Sequence, residues 1–137
     1  KGRSEKKPIA FLASSVEAVE RRGFNLSGRA AELAKRHWPG ALTLVVSNRE
    51  STEGFRVPDF AWTRELIEKC GGALKVTSAN LSGSQAAVEA AEALKSVGLS
   101  ADIVVDGGVS PGGVASTVVA VSVGGDVEIL RRGAVDL

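Results

Sequence analysis

Methionine and tyrosine are absent from this chain, and it holds one cysteine and one histidine in 137 residues. A lone cysteine, Cys70, cannot close an internal disulfide, which excludes a disulfide scaffold and fits a reducing, cytoplasmic setting. One His and one Cys are too few for a zinc site built on those ligands. His37 stands at a predicted helix end before Trp38-Pro39-Gly40, where capping is the simpler reading than a catalytic triad. No apolar run approaches the ~20 residues needed to cross a bilayer as a helix, and no signal peptide is visible, so no membrane partner is expected. Because position 1 is lysine, the chain is expected to lack an upstream segment.

What is present is ordinary for a folded domain. Hydrophobic residues make up 44% and charged residues 24%, enough for one core and a solvated surface. With 17 basic and 16 acidic side chains the net charge is +1, which argues against attachment to nucleic acid by bulk charge. A local basic groove remains compatible with that balance.

Apolar runs and punctuating residues give the layout. Pro8 to Ala13 reads as a buried strand, Val16 to about Arg22 as a helix capped by Ser14 or Ser15, and Gly28 to His37 as a second helix opened by Ser27. Trp38-Pro39-Gly40 stops that helix. Ala41 to Ser47 is a predicted strand, Asn48 to Glu53 a loop, and Phe55-Arg56-Val57 a short strand ended by Pro58. Ala61 to Cys70 reads as a helix with Trp62, Leu66, Ile67 and Cys70 on its core face. Strand Leu74 to Thr77, loop Ser78 to Ser84, helix Ala86 to Val97, strand Asp102 to Val105 and loop Asp106 to Gly113 follow. Ser116 to Val123 and Val127 to Arg131 form a hairpin through Gly124-Gly125-Asp126. Strands that alternate with helices and finish in a hairpin predict one α/β domain, a mixed sheet with helices packed on it.

Four clusters carry possible chemistry. Lys1-Gly2-Arg3, with Lys6 and Lys7, enters the first strand; alone it reads more simply as solvated charge. Thr77-Ser78-Ala79-Asn80-Leu81-Ser82-Gly83 lies at a strand end, where open α/β sheets place ligands, and its hydroxyls, amide and backbone N–H groups could hold an anion. Arg56 sits in a strand between apolar residues and so needs either a structural partner or a ligand; its fork suits a carboxylate. Asp106-Gly107-Gly108, Ser116-Thr117-Val118 and Ile129-Leu130-Arg131 form the fourth. Neither G-x-x-x-x-G-K-[ST] nor G-x-G-x-x-G occurs, so phosphate binding would rest on side chains.

Taken together and in this order, these stretches resemble the YrdC-like family of threonylcarbamoyl-AMP synthases. The resemblance rests on Lys1-Gly2-Arg3, Trp38-Pro39-Gly40 with Leu42-Thr43-Leu44, Phe55-Arg56-Val57-Pro58, Thr77 to Gly83, Ser116-Thr117-Val118 and Ile129-Leu130-Arg131. It implies a twisted mixed sheet around a concave basic cavity. It also implies condensation of L-threonine, bicarbonate and ATP, with Mg²⁺, into threonylcarbamoyl-AMP and pyrophosphate for tRNA threonylcarbamoyladenosine modification. Lys1, Arg3, Ser78 and Asn80 then correspond to the polar group around the ATP phosphates, Arg131 to a nucleotide-contacting arginine, and Arg56 and Ser116 to threonine-holding positions. Downstream threonylcarbamoyl-transfer proteins become expected partners. A binding module for tRNA or double-stranded RNA on the same fold is the alternative. The chain departs from the family where a Pro-Thr-Asp-Thr-like run and a tyrosine precede Lys-x-Arg, at Lys7 for Asn, at Leu12 for His, and at Asp59-Phe60-Ala61 for His-Pro.

Overall fold

The computed structural model describes residues 9–81, 83–111 and 113–137, which fall into two compact units. The larger holds residues 9–76 and 114–137, the smaller the described part of 77–113. Lys1 and Arg3 lie outside the described residues.

The larger unit is a six-stranded mixed sheet. Its strands are β1 (Ala10–Ala13), β2 (Leu42–Ser47), β3 (Thr52–Arg56), β4 (Ala73–Val76), β5 (Thr117–Val121) and β6 (Val127–Arg131), in the order β4-β1-β3-β2-β5-β6. β1 runs parallel to β3 and β2 to β5; the other three neighbouring pairs are antiparallel. Consequently β2 and β5 begin, and β3 and β6 end, at the same rim of the sheet.

Burial alternates along the central strands. Phe11, Leu44, Phe55, Val119 and Val121 face one side and meet Val19 of α1 (Val16–Arg21), Ala30, Leu33 and Ala34 of α2 (Gly28–His37), and Phe24 between the two helices. Phe11 stacks on Phe55 at 5.4 Å and Phe24 meets Phe55 edge-on at 5.0 Å. The fully buried rings and aliphatic side chains supply the main stabilisation, since each buried Phe or Leu contributes about 1.5–3 kcal/mol. The other side carries Ala10, Leu12, Val45, Gly54, Arg56, Val118 and Ala120, all half-buried. This open, half-buried face carries the candidate residues Arg56 and Val118's neighbour Ser116.

Ser15 caps α1 as its sequence suggests, accepting from Ala18 N at 3.1 Å. Ser27 precedes α2 without a side-chain cap bond, and the imidazole of His37 makes no hydrogen bond among the described residues, with Nε2 buried. The expected loop at 48–53 is shorter: Asn48 Oδ1 accepts from Glu50 N and Ser51 N, closing an Asx turn that lets Thr52 and Glu53 join β3.

Helix α3 (Ala61–Lys69) lies against β1 and β4 and buries Ile67 alone. Trp62, Leu66 and Cys70 are exposed, contrary to the expected core face, because a nine-residue helix at the margin of the sheet covers it with a narrow stripe. The smaller unit holds α4 (Ala90–Val97) and a 3₁₀ turn (Gly98–Ser100). Helix α4 begins four residues later than expected. The predicted strand Asp102–Val105 does not form, and Ile103 is 82% exposed. Its β-branched residues meet no partner strand among the described residues, and propensity alone does not hold an isolated strand. Among the described residues no helix is long and apolar enough to cross a membrane.

Where β1 gives way to α1, Ser14 and Arg21 both donate to Glu68 of α3, Arg21 at 3.0 and 3.1 Å. The hydrogen bond from Ser14 does most to hold the Glu68 carboxyl below the usual range; desolvation opposes it and Arg21 adds to the lowering. A carboxyl lowered on folding contributes stability above its unfolded pKa of about 4.3 and loses it as pH falls through the folded value. Stability of the protein measured by urea titration should therefore fall below about pH 4.3, and Glu68→Gln should flatten that acid limb. Parallel pH profiles for the two proteins would refute the linkage.

Candidate functional site

On the open face the register lines up one polar row. Leu12 of β1 pairs with Arg56 of β3, Thr43 of β2 with Val118 of β5, and Val118 with Arg131 of β6. The Leu44–Phe55 pairing places Thr43 beside Arg56, so the row reads Leu12, Arg56, Thr43, Val118, Arg131 across five strands. Ser116, just before β5, shares the face of Val118.

A bulge puts Arg131 there. Val119 pairs with Ile129 but Val118 with Arg131, so β6 spends one extra residue, Leu130, between them. Val127 and Ile129 lie opposite the buried Val121 and Val119; strict alternation would turn Arg131 to that same side. The extra residue turns it to the open face instead.

Each arginine is then fixed by backbone oxygen. Arg131 donates from Nε and Nη2 to the Ser116 carbonyl at 3.1 and 2.7 Å, and from Nη2 to Ser116 Oγ at 3.1 Å. That hydroxyl also meets Thr43 Oγ1 at 2.9 Å, and both Ser116 and Thr43 are buried. Arg56 donates from Nε to the Gly40 carbonyl at 2.9 Å. Gly40 in turn donates its N–H to Val57 O at 2.9 Å, and Trp38 Nε1 donates to Leu42 O at 2.7 Å. A Cβ on Gly40 would lie 2.4 Å from the His37 carbonyl oxygen, so only glycine fits this turn. Thus Trp38-Pro39-Gly40 does more than end α2: its last carbonyl aims Arg56.

The electrostatics are unbalanced. Burial first, then the neighbouring charge of Arg131, holds the Arg56 guanidinium below its ordinary value. Neither arginine has a carboxylate partner among the described residues, and no structural ion pair of the kind considered for Arg56 forms among them. The contrast is the groove lined by Ser14, Ser15, Arg21, Arg64, Glu65 and Glu68. There Arg21 is met by Glu68 at 3.0 Å and Arg64 by Asp59 at 3.8 Å, leaving its cations neutralised. Two like charges held together with no counter-ion among the described residues suit an anionic ligand.

The smaller unit carries the other described candidates, Ser78 and Asn80. Asn80 is buried; its Nδ2 donates to Leu81 O at 3.0 Å and Ser84 O at 2.7 Å, and Oδ1 has no partner among the described residues. With both amide hydrogens on the loop's own carbonyls, this side chain offers an acceptor rather than a phosphate donor. The loop is tied to α4 by Leu81 N, which donates to Ser96 Oγ at 3.1 Å. Ser84 caps no helix; it serves Asn80 instead.

The sequence reading assigns no site role to Thr43, Gly40 or Gly133, although Gly40 and Thr43 stand within motifs that carry the family resemblance. Thr43 could have been found as the polar residue inside the aliphatic run Leu42 to Val46. Gly133 shows only in three dimensions: a Cβ there would lie 2.3 Å from Ala115 O and 2.5 Å from Ser116 O, so the chain after β6 can close over Ser116 only without a side chain. Thr117 Oγ1 locks this crossing, accepting from Gly133 N and Val135 N and donating to Val135 O at 2.6 Å.

Comparison with known proteins adds a family. The family described as "Sua5_yciO_yrdC: Telomere recombination" matches residues 1–133. A threonylcarbamoyl-AMP synthase of Rattus norvegicus is 36% identical over 151 residues, covering 97% of this chain and 52% of that protein. A putative threonylcarbamoyl-AMP synthase of Mycobacterium tuberculosis is 32% identical, covering 98% of this chain and 66% of that protein. Among solved structures, Pyrococcus abyssi Sua5 complexed with L-threonine superposes with a TM-score of 0.86 at 29% identity, over 97% of this chain and 42% of that one. The chain therefore spans about half the length of the mammalian relative it matches.

Two substitutions test the geometry. Ser116→Ala strips Thr43 Oγ1 of its buried partner and should cost about 1–3 kcal/mol in urea unfolding. Gly133→Ala forces the backbone apart at Ser116 and should cost a similar ~1–3 kcal/mol. Unchanged midpoints for both would show that the clamp around Ser116 is not tight.

Proposed function

This chain belongs to the Sua5_yciO_yrdC family, and from that premise we propose that its site forms threonylcarbamoyl-AMP and pyrophosphate from L-threonine, bicarbonate and ATP. The observation that carries the proposal is the pair Arg56 and Arg131, anchored by carbonyls on one sheet face with no carboxylate partner among the described residues. The relatives named threonylcarbamoyl-AMP synthase and the Sua5 structure that holds L-threonine support it.

In this reading the threonine carboxylate takes the Nη groups of Arg56, a planar fork on a planar anion, and Ser116 lies beside it. Arg131 faces the nucleotide. Lys1, Arg3, Ser78 and Asn80 are the candidates for the triphosphate, and Asn80 shapes the loop that carries Ser78 by donating to Leu81 O and Ser84 O. Threonine's amine adds to bicarbonate and loses water, giving a carbamate. One carbamate oxygen attacks the α-phosphorus, a P–O bond forms, and the bond to the β-phosphate bridging oxygen breaks with pyrophosphate leaving. Negative charge moves among phosphate oxygens throughout, so fixed cations and N–H donors, rather than a strong base, do the catalysis. Among the described residues no three His, Cys, Asp or Glu side chains gather around one point. Mg²⁺ would accordingly enter on the ATP phosphates with its remaining waters. The product would serve tRNA threonylcarbamoyladenosine synthesis in the cytoplasm, handed to transfer proteins.

The test is pyrophosphate release on mixing the protein with the three substrates. Release should require all three, and Arg56→Ala should weaken L-threonine binding by about 10- to 100-fold, the worth of one charge-assisted hydrogen bond. Pyrophosphate release that ignores threonine, or an Arg56→Ala protein that binds it normally, would reject the proposal.

A further inference from the structure

Gly54 lies in the interior of β3, on the open face, two residues from Arg56. Glycine weakens a strand and there usually answers either a backbone demand or the close approach of another group. The backbone makes no demand: Gly54 is not among the positive-φ glycines. Packing makes none either. A Cβ at Gly54 would stand 3.5 Å from Ala10 Cβ, 3.5 Å from Thr43 Cγ2 and 3.7 Å from Val45 Cγ2, all ordinary contacts. The fold thus tolerates alanine at a position where it carries glycine.

The neighbours explain what the missing side chain leaves. The register pairs Val45 with both Gly54 and Ala120, and the Phe11–Phe55 pairing puts Ala10 beside Gly54. Ala10, Gly54, Val45 and Ala120 make a second row across the open face, next to Arg56, Thr43 and Arg131, and every member of it is half-exposed. Same-face neighbours along a strand are about 6.6–6.8 Å apart. A small α-amino acid with its carboxylate on Arg56 spans that distance.

We infer that Gly54, with Ala10, Val45 and Ala120, forms the floor on which the amino-acid substrate lies, and that the missing side chain at Gly54 sets how large that substrate can be. The inference rests on the reading of Arg56 given above and assigns a contact that reading does not contain. Gly54 is a specificity-determining position: a methyl there strengthens the strand and fills the substrate's space.

The experiment is calorimetric titration of L-threonine into the unsubstituted protein, Gly54→Ala, Gly54→Val and Arg56→Ala, with melting temperatures alongside. Gly54→Ala should raise Tm by about 2–4 °C and weaken threonine binding severalfold. Gly54→Val should weaken it by about tenfold or more while still melting cooperatively. Glycine offered in place of threonine should bind the unsubstituted and Gly54→Ala proteins alike. Normal threonine binding by both Gly54 variants, with binding lost in Arg56→Ala, would overturn the floor and leave the arginine site standing. Normal binding in Arg56→Ala, or none in the unsubstituted protein, would overturn both.

Discussion

Two positive charges on one sheet face, each anchored by a carbonyl oxygen and neither met by a carboxylate among the described residues, are the constraint on which the rest of the site depends. Arg56 and Arg131 repel each other, and the burial of Arg56 removes part of the water that would screen the pair. Hydrogen bonds from a charged donor, about 1.5–3 kcal/mol each, hold them in place without cancelling the charge. A carboxylate at either position would have relaxed the repulsion and removed the affinity for an anion. The protein instead spends backbone: the Gly40 carbonyl for one arginine, the Ser116 carbonyl for the other.

That choice propagates outward. To present Gly40 O, the chain after α2 turns through Trp38-Pro39-Gly40, and the turn is tied to Val57 and Leu42. To present Ser116 O, the chain after β6 passes so close that only Gly133 fits, and Thr117 bolts the crossing down. To face Arg131 the right way, β6 takes a bulge at Leu130. Three features that look independent along the chain serve one row of side chains. The opposite face, packed on α1 and α2, supplies the rigidity that makes this positioning hold.

The central part of this was legible in the sequence because its signals are local. The β-branched and aliphatic run Leu42 to Val46, the Gly124-Gly125-Asp126 turn and the Ser15 cap gave β2, the β5–β6 hairpin and the start of α1 nearly residue for residue. Arg56 could be singled out because a charge amid apolar strand residues must be answered. Cys70, Trp62 and Leu66 misled because helical periodicity says which residues share a face, not whether anything covers it. Ile103 to Val105 misled because strand propensity is realised only beside another strand. The bulge, the Gly133 crossing and the Gly54 floor are pairwise features of distant segments, and no periodicity encodes them. The sequence order of Lys1, Arg3, Ser78 and Asn80 pointed to a phosphate group as a set. Of these, Asn80 proves to spend its amide on Leu81 and Ser84.

The most direct measurement of the central claim observes the two guanidiniums themselves. In ¹⁵N-resolved spectra of the arginine Nε–H groups, titration with L-threonine and then with ATP should shift the Arg56 signal saturably with the first ligand and the Arg131 signal with the second. Arg21 and Arg64, already paired with carboxylates, should stay in place. Saturable shifts at Arg21 or Arg64 with Arg56 and Arg131 unmoved would contradict the account.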